Sequence, residues 1–154
     1  MNVNMINPFI EGTVSTFETM CSCKPSMDGK PHIKNNADES YDLIGVIGLT
    51  GSVKGSMLMT MKKITGQKAV GAFLMEDMVE EGEDLMDGFG EILNIIAGAA
   101  AAKLKDLEVN LALPTVLIGT NQKVHSQQSS PWIVIPMTFP EWGKFNIEVS
   151  MENV

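Results

Sequence analysis

Apolar residues recur most regularly over residues 84–105. There Leu85, Met86, Phe89, Ile92, Leu93, Ile96, Ala100 and Leu104 fall on one side of a helix that turns roughly 100° per residue. That stripe predicts a long amphipathic helix facing a core, with Lys103 and Lys105 favouring its C-terminal end through the helix dipole. Ile6, Phe9, Ile10, Thr13, Val14, Phe17 and Met20 give the first segment the same period. Asn7 followed by Pro8 reads as its cap and first residue, with Asn4 as the alternative cap.

Other stretches alternate with a period of two. Residues 43–49 and 53–61 read as two strands around a Gly-containing turn at Thr50-Gly51-Ser52. The second places Val53, Gly55, Met57, Met59 and Met61 on one side and Lys54, Ser56, Leu58 and Thr60 on the other, as suits a sheet with a buried face. A helix capped at Thr65 and running through Ala69, Val70, Phe73 and Leu74 follows, weakened by Gly66 and Gly71. Residues 76–83 form an acidic connector. Residues 109–113, 116–118, 132–137 and 145–151 read as further strands, where Pro114 and Pro136 imply edges or breaks. Polar loops occupy 21–41, around a short strand at 32–34, and 120–130, which holds His125. Helices and strands do not alternate as βαβ units. The expectation is therefore one α+β domain over residues 1–154, a mainly antiparallel β-sheet with long α-helices packed on one face.

Composition narrows the function classes. The 154 residues are 44% apolar and 19% charged, ordinary for a globular chain, with a formal net charge of −8. The lysines are scattered and Trp132 and Trp142 sit at strand ends, so no basic, aromatic-lined groove offers itself to nucleic acid. No uninterrupted apolar run approaches the roughly 20 residues of a membrane span. Residues 1–8 lack the basic flank and apolar stretch of a signal peptide, so a cytoplasmic location is expected. Cys21 and Cys23 are too close for an ordinary disulfide and too few for a zinc site, and His32 and His125 stand apart, so no metal or cofactor of the chain's own is expected. There is no Walker-A sequence, CxxC or G-x-S-x-G motif.

The side of the long helix opposite its core stripe is unusual. Asp87, Glu91, Asn94, Gly98 and Ala101 lie nearly in a line there, with Gly90 beside them and Ile95 at the border. A solvated face normally carries long charged residues, since each glycine in an exposed helix interior costs about 1 kcal/mol against alanine. Small residues here leave room for a second surface to approach the Glu91 carboxylate and Asn94 amide. Packing of the same row on a neighbouring helix or a second subunit stays open as the alternative.

These residues carry a resemblance. The segment Asp87-Gly-Phe-Gly-Glu91-Ile-Leu-Asn94-Ile-Ile-Ala-Gly98 resembles the D/S-x-x-x-E-x-x-N signature of the CheC/CheX/FliY chemotaxis phosphatases. Ile6-Asn-Pro-Phe9, the Gly48-Leu-Thr-Gly51-x-x-x-Gly55 hairpin and Leu113-Pro-Thr-Val116 extend the likeness over most of the chain. CheC-type members carry the signature twice. Here it occurs once, since Glu11, Glu18 and Glu108 are followed three residues later by Val14, Cys21 and Leu111, so the chain is CheX-like.

The resemblance implies a phosphatase for the aspartyl-phosphate of a response-regulator receiver domain (CheY-like), a homodimer, and Mg²⁺ held by that partner. It further implies that Asn94 orients the attacking water and Glu91 pairs with the partner's phosphate-site lysine. Gly98 would provide access. Asp87 would either support the site from the preceding turn or simply favour the helix N-terminus by its charge. Such a division is physically sound, because phosphoryl transfer depends on positioning and electrostatics more than on covalent work by the protein. A spacing of three residues puts both groups on one helix face. The rival reading is a non-catalytic adaptor that binds or sequesters the phosphorylated receiver.

Overall fold

The computed structural model describes residues 3–35, 40–122 and 130–154. The elements run α1 (Val3–Cys21), β1 (Ser26–Met27), β2 (His32–Ile33), β3 (Tyr41–Gly51), β4 (Val53–Met61), α2 (Lys63–Phe73), α3 (Glu83–Lys103), β5 (Val109–Leu111), β6 (Thr115–Gln122), β7 (Ile133–Phe139) and β8 (Gly143–Asn153). All strand pairs are antiparallel, in the order β1-β7-β8-β4-β3-β5, with β2 also on β7 and β6 also on β3. The three helices share one face of this sheet, and their apolar stripes merge with Leu43, Ile47, Met57, Met59, Ile135, Ile147 and Val149 into one core. The α+β expectation holds.

Local chemistry explains where the elements begin and end. Gly51, at φ 98°, makes the tight turn between β3 and β4 in a conformation that glycine adopts without strain. α2 starts two residues before the expected cap. Its entry is held by Asp42 on β3, whose carboxylate accepts from the Lys63 amide at 3.0 Å. Thr65 lies inside the helix and donates instead to the Trp142 carbonyl at 2.9 Å. Neither Asn7–Pro8 nor Asn4 caps α1, because both fall within it. Pro8 is tolerated there since the N–H it lacks would have reached only the Asn4 carbonyl, one bond near the helix end. α3 stops at Lys103, which reaches Glu11 at 3.4 Å, and Lys105 lies beyond it.

Two strand expectations need correction. Pro114 does break β5 from β6, but Pro136 lies within β7, an inner strand. It falls where β7's other neighbour changes from β2 to β1, so no ladder bond is lost on that side. The strand β4 is buried on both faces. Leu58 and Thr60 are covered as fully as Met57 and Met59, because Tyr41, Ile44, Val46 and Trp132 form a second small cluster on the face away from the helices. Glu148 is fully buried on β8 and meets the Lys34 ammonium at 2.7 Å. His125 lies outside the described residues.

Candidate functional site

Close contacts hold α3 on three sides. Toward the sheet, Phe89 and Leu93 lie over Gly45, where an added Cβ would come within 2.9 Å of both side chains. Toward α1, a Cβ on Gly12 would meet the Ile96 carbonyl at 3.1 Å, the Ala100 nitrogen at 3.3 Å and the Ala99 Cβ at 3.4 Å. Toward α2, a Cβ on Gly88 would sit 2.5 Å from a Val70 methyl. The small residues of α3 that pack against another helix are therefore Gly88, Ala99 and Ala100, away from the row through Glu91. By length and apolar content α3 would suffice to cross a bilayer, but its apolar stripe is spent on this core.

The segment from β5 to β6 borders the remaining side. Its Leu111 side chain is the nearest atom group to a Cβ placed on Gly98, at 3.9 Å, while Val116 and Pro114 lie 3.3 and 3.6 Å from one on Gly90. Gly90 is thus buried beneath Pro114 and Val116 and does not belong to the open row. Between that border and solvent run Asp87 and Glu91, both exposed, and Asn94, Gly98 and Ala101, all half-buried. Among the described residues, neither the Glu91 carboxylate nor the Asn94 amide has a hydrogen-bond or ion-pair partner. Asp87 is exposed one turn before Glu91, after Glu83 and Asp84 in the first turn. The structure brings Glu91 and Asn94 onto one accessible strip of α3, with space at Gly98. Such a convex strip suits entry into another protein's pocket better than capture of a small molecule.

Other candidates lie elsewhere. A cleft of about 600 Å³ on the opposite sheet face is lined by Asp28, Lys30, His32, Tyr41, Thr60 and Asn146 among others, and no residue of the Glu91 row lines it. Cys21 is buried, and burial together with the neighbouring Cys23 pushes its thiol up to about 12, so it is not a thiolate nucleophile at neutral pH. Burial also raises Cys23. Among the described residues no group of three or more His, Cys, Asp or Glu is arranged to hold a metal ion.

Residues 43–138, more than half of the chain and including all of α3, match the family model described as chemotaxis phosphatase CheX. The chain belongs to the CheX family. A CheY-P phosphatase CheX of Thermotoga maritima is 29% identical over 129 residues, covering 82% of this chain and 83% of that protein. The crystal structure of a chemotaxis protein CheX from Desulfovibrio desulfuricans superposes with a TM-score of 0.89 at 30% identity, over 97% of this chain and 100% of that one. A CheX–CheY–BeF3–Mg complex from Borrelia burgdorferi contains a chain matching with a TM-score of 0.81 over 99% of this chain and 100% of that one. Its 22% identity carries the shared CheX fold alone.

Proposed function

We propose that this CheX-family chain hydrolyses the aspartyl-phosphate of a CheY-like receiver domain, with Asn94 and Glu91 as the working side chains. The observation that carries the reading is the pairing of a carboxylate and an amide, three residues apart, on the one open strip of an otherwise enclosed helix. Family membership and the phosphatase name of the Thermotoga maritima relative support the reaction class. The pairing of CheX with CheY in the Borrelia burgdorferi complex supports the kind of partner.

In this mechanism α3 approaches the receiver's phosphorylation site along the row from Asp87 to Gly98. Glu91 pairs with the receiver's phosphate-site lysine and sets the helix in register. The Asn94 amide then holds a water in line with phosphorus. Being neutral, it adds no negative charge beside the phosphoryl group, which a carboxylate in its place would do. The receiver contributes its own Mg²⁺, and this chain supplies no metal or other cofactor. A hundredfold acceleration corresponds to about 2.7 kcal/mol, within what positioning of a water provides. Asp87 assists from the preceding turn, and Gly98 leaves space for the incoming surface. A homodimer completes the proposal, as the CheX-like resemblance implies.

Turnover separates this reading from a sequestering adaptor. With the chain at one-tenth the concentration of a phosphorylated CheY-like receiver, the expected result is release of nearly all the phosphate, faster than the receiver's own decay. Release limited to one equivalent or slower decay would replace the enzyme by an adaptor.

A further inference from the structure

The segment joining β5 to β6 runs alongside α3 in the opposite direction. Its Leu111 lies abreast of Gly98, and its Pro114 and Val116 lie abreast of Gly90. Leu113 falls between these two contacts along the chain. It is 90% exposed, although the chain on either side is fixed. The Ala112 amide donates to the Gly48 carbonyl at 3.0 Å, and Pro114 is seated over Gly90. An exposed leucine alone is common on protein surfaces and signifies little. One clamped from both sides presents apolar area without the entropy loss that ordering a mobile loop would bring.

We propose that Leu113 is the apolar anchor of the receiver-docking surface, burying its side chain against an apolar patch bordering the partner's phosphorylated aspartate. The inference rests on the reading of Glu91 and Asn94 as the docking row, which Leu113 borders through Pro114, whose ring covers Gly90, the residue before Glu91. Glu91 would then provide charge recognition on one side of Asn94 and Leu113 apolar recognition on the other. Two unlike contacts flanking the amide would fix the angle at which it enters.

The test measures phosphate release against receiver concentration for the full chain, Leu113→Ser and Leu113→Met, with Asn94→Ala as reference. Ile33→Ser, an exposed position on β2 at the far end of the sheet, controls for loss of surface apolarity. The expected result for Leu113→Ser is a KM roughly tenfold higher, the lower end of what burying a leucine contributes, with kcat retained. Leu113→Met should restore KM, and Ile33→Ser should leave it alone. Melting temperature and the mass in light scattering should be unchanged in Leu113→Ser. An unchanged KM in Leu113→Ser, beside an inactive Asn94→Ala, would overturn the anchor while leaving the catalytic reading intact. An active Asn94→Ala would instead remove the catalytic reading itself. A changed mass in Leu113→Ser would assign the residue to a contact between copies and likewise overturn the anchor.

Discussion

The two sides of α3 surround their small residues in opposite ways. On the packed side, Gly88 is where Val70 of α2 presses closest, and Ala99 and Ala100 receive α1 at Gly12. Each small side chain there is matched by an atom that needs the space. On the open side, Gly98 has nothing nearer to its missing Cβ than a Leu111 methyl at 3.9 Å, and Glu91 and Asn94 find no partner among the described residues. Space left unfilled within a well-packed fold, next to two polar groups without a partner among the described residues, is the feature on which the proposed docking row rests. The contrast teaches that a glycine-rich helix needs its neighbours mapped before its small residues can be assigned to packing or to access.

The contrast can be broken by substitution. The largest effect should come from Phe89→Ala on the packed side, which removes a fully enclosed ring and should cost about 3–5 kcal/mol in urea denaturation. Phosphate release per folded molecule should persist. Gly88→Ala comes next. Its new methyl would lie 2.5 Å from the β-branched, fully buried Val70, and the overpacking, of about 1–3 kcal/mol, outweighs the gain in helix propensity. The smallest effect carries the opposite sign. Gly98→Ala meets no obstruction and should raise stability by somewhat under 1 kcal/mol through helix propensity. A loss of stability in Gly98→Ala would mean that this strip packs against something, a second copy included, and would erase the distinction between the two sides.

Much of this arrangement was legible in the sequence because periodicity reports burial. Of the eight residues placed on the core stripe of α3, all are buried except Met86, which is half-buried. Both hairpin strands appear where expected, around the turn at Gly51. What escaped depends on contacts distant along the chain. Asp42 caps α2 from a strand 21 residues away, so the nearer Thr65 seemed the better cap. The burial of Leu58 on the second face of β4 depends on a cluster that draws on Tyr41 and Trp132. Gly90 stood beside Glu91 on the helical wheel with no sign that Pro114 and Val116 would cover it. The exposure of Leu113 was equally invisible. A leucine at a strand end reads as core until its neighbours are placed. The Glu91–Asn94 row could be drawn from spacing alone, but its openness could not, since that depends on α1 and α2 choosing the other sides.

The central claim is that the Asn94 amide acts on a partner and does nothing for the fold. Phosphate release from a phosphorylated CheY-like receiver by Asn94→Ala, read beside its thermal melting curve, tests this most directly. The account predicts at least about a hundredfold slower release, a loss of about 2.7 kcal/mol in transition-state stabilisation, with an unchanged melting temperature. Release at the rate of the unaltered chain, or a loss of activity that merely follows a loss of stability, would contradict it.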